Sequence, residues 1–347
     1  MKAAVLHGPR NLRLETVPTP RLPSVGEVIL RVEYAAVCGT DVHAYRGSIP
    51  TKTPVVLGHE YAGRVLQVGK GVRGFKAGDR VVGSYVATCG TCRYCVLGKP
   101  QLCERRILFG LNYDGAFAQY MKVPRADRTL VKVPDDMDLR TAVLIPDMFL
   151  TALYAVERGG VGPGSSVLVI GLGSVGLSIV AAARLAGARK IIGVVRRGRP
   201  RPIEFAKKMG VTHLINTGEE KDPIGRIRAL TGGLGVDVAF EASGAPPAVR
   251  LALDSLRPCG VHVQVGIVGE PSPLDLRYLT SLEKTIIGVL NPGSTIHIER
   301  AIDVVRAHGL DLEGLVTHEF PLSDIGEALE AVERKVGDPV KVVVKTT

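Results

Sequence analysis

No apolar run in this sequence reaches membrane-spanning length, and residues 1–6 are followed at once by charged and proline-rich sequence. Neither an anchor nor a signal peptide is expected, which points to the cytoplasm and to no membrane partner. Also missing is any basic run interleaved with aromatics, and aromatics make up only 5% of the chain. With no helix-turn-helix spacing either, a nucleic-acid partner is not expected. That holds despite 44 Lys and Arg against 34 Asp and Glu, a net charge of +10. The excess reads as solvated basic faces and one phosphate pocket. Asn and Gln are scarce beside abundant Arg, a pointer to a thermophilic source. Internal repeats and low-complexity segments are absent as well.

What is present is concentrated. Four of the six cysteines fall in one window, Cys89-Gly-Thr-Cys92-Arg-Tyr-Cys95-Val-Leu-Gly-Lys-Pro-Gln-Leu-Cys103. This C-x2-C-x2-C-x7-C spacing lets four thiolates converge on one metal ion, and two of its gaps are too tight for relaxed disulfides. A zinc ion closed by four sulfurs keeps no open position, so it staples a loop and does no chemistry. An iron–sulfur cluster is the rival, but ferredoxin-like runs continue C-x3-C-P, and here the last gap is seven with no proline after it. Unmetallated, four crowded thiols would oxidise readily.

At 347 residues the chain is long enough for two domains. Short β-branched runs at 28–32, 61–68 and 80–82, divided by glycine-rich turns, make the first third β-rich, and no long helical pattern precedes Asp138. The middle alternates instead. Strands are expected at 166–170, 190–195, 239–241, 261–265 and 285–290, with helices at 174–185, 203–209 and 248–256. Such alternation predicts an α/β, doubly wound parallel Rossmann sheet. Helices at 299–307 and 323–334 precede a last strand at 340–345, which is expected to return to the β-rich unit. The boundaries are drawn as 1–148 for a catalytic unit with a metal lobe at 86–106, 149–292 for a nucleotide-binding unit, and 293–347 for the return.

Gly171-Leu172-Gly173-Ser174-Val175-Gly176 directly follows the strand ending at Ile170 and opens a helix. In that context the glycines allow a tight turn, close approach of backbone to a pyrophosphate, and close helix–strand packing, with the helix N-terminus facing the phosphates. An acidic residue about twenty positions on normally holds the adenosine ribose 2′-hydroxyl. Here the second strand ends at Val195, and Arg196-Arg197-Gly198-Arg199 follows. Without the carboxylate, repulsion of a 2′-phosphate disappears, and guanidinium groups can pair with it bidentately. NADP(H) is therefore expected over NAD(H).

Gly58-His59-Glu60-x-x-Gly63 with Gly69 and Val72, preceded by Cys38-Gly39-Thr40-Asp41-x-His43, resembles the zinc-containing medium-chain alcohol dehydrogenases. The cysteine window and the glycine turn fall in that family's order, and the resemblance covers essentially the whole chain. It implies a GroES-like catalytic domain beside the Rossmann domain, two zinc ions per chain, and hydride transfer between an alcohol or ketone and a nicotinamide. It also implies that Cys38 and His59 hold a catalytic zinc. The third ligand in this family comes from the helix entering the nucleotide domain, where this chain has Ile145-Pro146-Asp147-Met148. That is similar to the secondary-alcohol, NADP-linked branch, so Asp147 is assigned as third ligand and Glu60 as a fourth that alternates with water or substrate. Taken alone, Asp147 reads as a helix N-cap.

By the same resemblance Thr40 bonds to the substrate oxygen and His43 relays its proton to solvent. Ser243, Gly266, Ile267 and Lys341 are counted with the glycine turn, Arg196 and Arg197 as cofactor contacts. A homo-oligomer, tetramer over dimer, is expected through 261–265 and 285–290 of the nucleotide unit. The remaining histidines read as structural or solvated, and Cys259 as a buried or partly buried free thiol. Two other readings stay open: a polyol, sugar or threonine dehydrogenase of the same superfamily, and a nucleotide-binding relative that has lost catalysis.

Overall fold

The computed structural model describes residues 1–347 except Leu22, Arg197 and Pro273, with Tyr278 described by its backbone alone. The chain forms two compact units, Met1–Leu150 with Pro292–Thr347, and Thr151–Asn291. The second unit therefore begins after residue 150 and ends at 291, where the sequence boundaries were drawn at 148 and 292.

In the first unit one strand organises the rest. Val28–Val37 pairs antiparallel along its length with Glu60–Val68, while its residues 28–31 pair with Tyr120–Val123 and its residues 34–37 with the last strand, Lys341–Lys345. The sheet continues through Arg80–Gly83 and Leu130–Lys132 on one side and Val316–Pro321 on the other. Leu30 and Val32 of the central strand, and beyond a register shift Ala35 and Val37, face a core that includes Phe109, Phe117, Val342 and Val344. Burying each large aliphatic there is worth roughly 1.5–3 kcal/mol. Tyr61 and Phe109 add an edge-on ring pair at 5.6 Å. A short antiparallel pair, Val86–Ala87 with Ile107–Leu108, closes the base of the cysteine lobe.

The sequence reading placed no helix in this region, yet Gly39–Arg46 is helical. It escapes a periodicity search because it is only 8 residues long and buries Asp41, Val42 and Ala44 rather than an apolar stripe. Its start is fixed by Asp41, whose Oδ2 accepts the Cys38 N–H at 2.9 Å. The expectation about apolar length also needs correcting. The helical segment Leu139–Arg158, 20 residues, is long and apolar enough to cross a membrane by length and composition, and 72% of its most apolar window is buried inside the protein. Arg140, Pro146 and Asp147 interrupt the run in sequence without ending the helical path.

In the second unit six parallel strands lie in the order His213–Asn216, Lys190–Val195, Ser166–Ile170, Val236–Glu241, Leu256–Gln264 and Thr285–Gly288. Numbered by chain order within the unit, that is 3-2-1-4-5-6, the doubly wound arrangement whose ligand crevice lies beyond the carboxyl ends of the strands. The central strand Ser166–Ile170 buries Val167 to Ile170 without a break, as a strand covered on both faces must. Strand His213–Asn216 and helix Pro223–Leu230 were not anticipated. The strand has four residues with one fully buried, too little apolar signal to read. Cys259 is exposed rather than buried. It sits at φ 59° in a kink of its strand, its N–H on Leu282 O, so the thiol is turned outward.

Candidate functional site

The first cluster is assembled by sheet register. Cys38 follows directly on Val28–Val37, Glu60 opens the neighbouring strand opposite Ala36, and Val342, next to Lys341, pairs with Val37. His59 precedes Glu60, after Gly58 at φ 94°, where a Cβ would meet Phe117 at 2.8 Å. The remaining residue comes from the long helix. Pro146 has no N–H and cannot continue an α ladder, and the backbone widens into a π turn over Ile145–Phe149 in which Phe149 N donates to Leu144 O. Asp147 stands in that turn. It is not an N-cap, because the helix is capped by Asp138, whose Oδ1 accepts Thr141 N–H at 2.7 Å.

Ligand atoms of Cys38, His59, Glu60 and Asp147 all lie within 4.8 Å of one another. Asp147 Oδ2 is 3.6 Å from Cys38 Sγ and 3.5 Å from His59 Nε2. The other imidazole nitrogen, Nδ1, is 3.0 Å from Asp41 Oδ1. Asp41 thus orients His59 with one oxygen and fixes the Cys38 backbone with the other, the carboxylate–histidine support found behind metal ligands. The sequence reading quoted Asp41 only as part of a motif; its place at N3 of a short helix is the signal that was available.

The electrostatics fit a cation. Burial alone would lower the His59 pKa, but the Asp41 charge and bonds to Asp147, Asp41 and Cys38 raise it well above the usual range. Burial raises the Cys38 thiol and Asp147 adds to it, while His59 holds Asp147 below the usual carboxylate range against its own burial. Burial pushes Glu60 up to about 7 even though Lys341 opposes it. Among the described residues, Glu60 Oε2 is buried with no hydrogen-bond partner. One thiolate, one oriented imidazole, one carboxylate and a spare carboxylate oxygen are the donors of an open zinc site.

Thr40 Oγ1 lies 3.7 Å from Cys38 Sγ. His43, on the same helix, has Nδ1 3.1 Å from Ser48 Oγ, and burial followed by Arg46 lowers its pKa.

The second cluster is Cys89, Cys92, Cys95 and Cys103, all free thiols. Cys89 Sγ is 3.5 Å from Cys103 Sγ and 4.0 Å from Cys95 Sγ. Zinc–sulfur bonds of about 2.3 Å give a tetrahedron whose sulfur–sulfur edges are about 3.8 Å, so these spacings suit a closed four-sulfur zinc. Backbone amides supply charge compensation. The Thr91 N–H, then that of Cys92, brings Cys89 down to about 5, and the N–H groups of Cys95 and Glu104 lower Cys92. Burial drives Cys95 the other way, up to about 12. Arg125 ties the lobe to its base, with Nη1 donating to Ala87 O and Arg105 O.

The glycine turn lies in the second unit, between Ser166–Ile170 and the helix Ser174–Leu185. Gly171 has φ 91°, and a Cβ there would meet Ser243 at 2.8 Å. A Cβ on Gly176 would sit 1.9 Å from Gly171 O, so helix and turn pack closer than any side chain permits. At Gly173 a Cβ would meet nothing within 4 Å, which leaves the helix N-terminus open to a ligand. Ser174 and Val175 are half-buried in the first helical turn. These features suit a pyrophosphate held at a helix N-terminus.

Around the turn, Ser243 donates its hydroxyl to Glu241, Gly266 packs against Gly244, and Ile267 is 48% exposed. Arg196 is exposed directly after Val195, and Arg197 lies outside the described residues. Lys341, counted with the cofactor contacts, has its Nζ buried in the first unit, where it donates to Glu60 Oε1 of the metal cluster.

Residues 24–135 match the model of the alcohol dehydrogenase GroES-like domain, and residues 174–306 that of zinc-binding dehydrogenases. A sorbitol dehydrogenase of Bacillus subtilis (strain 168) is 37% identical over 99% of this chain and 97% of its own length. The chain belongs to the zinc-containing medium-chain alcohol dehydrogenase family. It is a zinc-dependent oxidoreductase of the alcohol dehydrogenase type, with a GroES-like domain in its first unit and a Rossmann domain in its second. Among solved structures this dehydrogenase is similar to alcohol dehydrogenase TADH from Thermus sp. ATN1, with TM-score 0.92, 33% identity and 100% of both chains covered. It is also similar to a zinc-binding dehydrogenase from Sinorhizobium meliloti 1021 bound to NADP, with TM-score 0.89, 27% identity and 99% of each chain covered.

Proposed function

We propose that this dehydrogenase transfers a hydride between a secondary alcohol or its ketone and NADP(H), with one catalytic and one structural zinc per chain. The observation that carries the reading is Asp147, 3.5 Å from His59 and 3.6 Å from Cys38 at the π turn. When bound, zinc supplies Lewis acidity to the substrate oxygen and the nicotinamide supplies or accepts the hydride. Cys38, His59 and Asp147 would hold the metal, and Glu60 Oε2, buried without a partner, would be available to it as a further donor. Thr40 would hydrogen-bond the substrate hydroxyl and hand on its own proton as it takes the substrate's, and His43, whose pKa is lowered by burial, would carry the proton outward.

Preference for NADP(H) rests on Val195, which brings no carboxylate to the adenosine ribose, and on the basic Arg196 after it. The reduced thiols of the cysteine lobe favour a cytoplasmic setting. A homo-oligomer rests on the edge strand Thr285–Gly288, whose Thr285, Ile286 and Gly288 are exposed, while tetramer over dimer rests on the family resemblance alone. The other segment expected at the interface, 261–265, lies in a strand paired on both sides, with Val236–Glu241 and Thr285–Gly288, and offers no free edge. The second reading, oxidation of a polyol or of threonine, draws on relatives named sorbitol dehydrogenase and L-threonine 3-dehydrogenase.

A panel of secondary alcohols, ketones, polyols and threonine, each assayed with both dinucleotides, tests the proposal. The expected result is a higher kcat/KM with NADP(H) and with simple secondary alcohols or ketones, and a shift towards NAD on Val195→Asp with Arg196→Ala. Higher kcat/KM on polyols selects the second reading, and equal or better kcat/KM with NAD(H) rejects the NADP assignment.

A further inference from the structure

The mechanism above leaves one buried carboxylate unused. Glu241 ends the strand Val236–Glu241 and is 0% exposed. Its Oε1 accepts the Ser243 N–H at 2.7 Å, the Gly244 N–H at 3.0 Å and the Ser243 hydroxyl. Its Oε2 accepts Gln264 Nε2 at 2.7 Å and Gly244 N–H at 3.1 Å. Among the described residues no Lys or Arg pairs with it. The side-chain oxygens draw on the loop that follows Glu241 and on Gln264, the last residue of the neighbouring strand, and the Glu241 carbonyl takes the Val265 and Gly266 N–H groups as well.

The first of these segments touches the glycine turn, and the second packs on the first. Ser243 stands where a Gly171 Cβ would project, a Cβ on Gly244 would lie 2.4 Å from Ile267 O, and one on Gly266 would lie 2.4 Å from Gly244 N. The array extends one step further. Gln264 spends both amide hydrogens, on Glu241 and on Gly266 O at 2.7 Å, so its oxygen must accept from His262 Nε2 at 3.0 Å. That requires the proton on Nε2, and burial, which lowers the His262 pKa, keeps the ring neutral with Nδ1 bare.

We propose that Glu241 is a positioning residue for the dinucleotide: it holds the loop at 242–245 against Gly171 and the loop at 265–267 against 242–245, so that the cofactor-binding rim is formed before cofactor arrives. The proposal rests on the dinucleotide reading of the glycine turn. A pre-ordered rim spares the cofactor the cost of ordering two loops.

Glu241→Gln tests it with almost no change of shape. One oxygen still serves Ser243 and Gly244, but the new amide NH2 faces the Gln264 NH2. Gln264 must then turn over, which presents oxygen to Gly266 O and breaks that bond. Binding of NADPH and of NADH to zinc-loaded protein is measured by nicotinamide fluorescence, with amide hydrogen exchange on cofactor-free protein. Glu241→Gln is expected to raise the dinucleotide Kd roughly tenfold or more, about 1.4 kcal/mol. Exchange should quicken in 242–246 and 265–268, with zinc content unchanged and kcat at saturating cofactor within about threefold. A merely structural role lowers the folded fraction and leaves the Kd of the surviving protein alone. Gln264→Met, which cuts both Gln264 bonds, is expected to raise Kd in the same direction, and the double variant to be no worse than Glu241→Gln. Folded Glu241→Gln with wild-type Kd and exchange overturns the proposal; if that variant does not fold, wild-type Kd in Gln264→Met overturns it. Wild-type protein that binds neither dinucleotide fails the underlying reading, and the proposal with it.

Discussion

Lys341 Nζ lies 2.6 Å from Glu60 Oε1, and the two side chains are 2% and 1% exposed. They stand 281 residues apart in sequence and meet because Val28–Val37 pairs with both their strands. Removing one member of a buried pair leaves the other uncompensated, at a cost of roughly 3–5 kcal/mol. Lys341→Met is therefore expected to lower stability by that order, and Lys341→Met with Glu60→Gln to recover part of it. Equilibrium unfolding in urea reads both. Equal stability of wild type and Lys341→Met would show that the pair contributes nothing to the fold.

The cysteine lobe gives a cleaner separation of metal from chemistry. Cys92→Ser is expected to release one zinc per chain and to lower thermal stability much more than the kcat of protein that remains folded. Elemental analysis, a melting curve and steady-state kinetics check the three parts. Appearance of a visible iron–sulfur absorption band in the purified wild type would overturn the zinc assignment here.

The Rossmann sheet carries its own pH signature. Asp237 Oδ2 accepts the Ser166 N–H at 2.7 Å and hydroxyl at 2.6 Å, and Oδ1 accepts Arg257 Nε at 2.6 Å. Burial pushes the carboxyl up, but the Ser166 bonds and then Arg257 outweigh it and hold the pKa below the usual range. An unfolded Asp titrates near 3.9, roughly. The folded value is the lower one, so the stabilisation is present above the unfolded value and is lost as pH falls through the folded one. Wild type should exceed Asp237→Asn in stability by a margin that is widest above about pH 5 and shrinks below about pH 4. Urea unfolding at several pH values measures it, and a margin independent of pH sinks the argument.

The glycine turn and the cysteine lobe were legible in the sequence because both are local. Each is set by spacings within a few residues, so Gly171, Gly176 and Cys89 to Cys103 fall where pattern alone puts them. The catalytic cluster was legible only through resemblance. Cys38, Glu60 and Asp147 lie far apart in sequence, and what joins them is strand register and a π turn at Pro146, neither of which leaves a periodic trace. Lys341 shows the limit most plainly. As a lone lysine opening the final strand it read as a cofactor contact, and only the pairing of Val342 with Val37 reveals Glu60 as its partner. Glu241 was read as the end of a strand, since three of the four donors around it come from a loop with no pattern of its own and the fourth from Gln264 of a neighbouring strand.

Asp147 decides the functional reading. Its carboxylate is the member of the catalytic cluster that approaches both Cys38 and His59, and it sits mid-helix where no capping role is available. Asp147→Ala leaves Cys38, His59 and at best Glu60, and Glu60 is already engaged through Oε1 with Lys341. Three firm protein ligands are what an open zinc site requires. The variant is expected to lose one zinc per chain and to drop in kcat by several orders of magnitude, while dinucleotide binding survives because the glycine turn belongs to the other unit. Asp147→Cys should restore part of both zinc and activity, since thiolate is an equally good zinc donor. Zinc per chain, kcat and nicotinamide fluorescence titration separate these outcomes. If Asp147→Ala keeps two zincs and near-normal kcat, Asp147 is no ligand, and the assignment of this chain to secondary-alcohol chemistry loses its support.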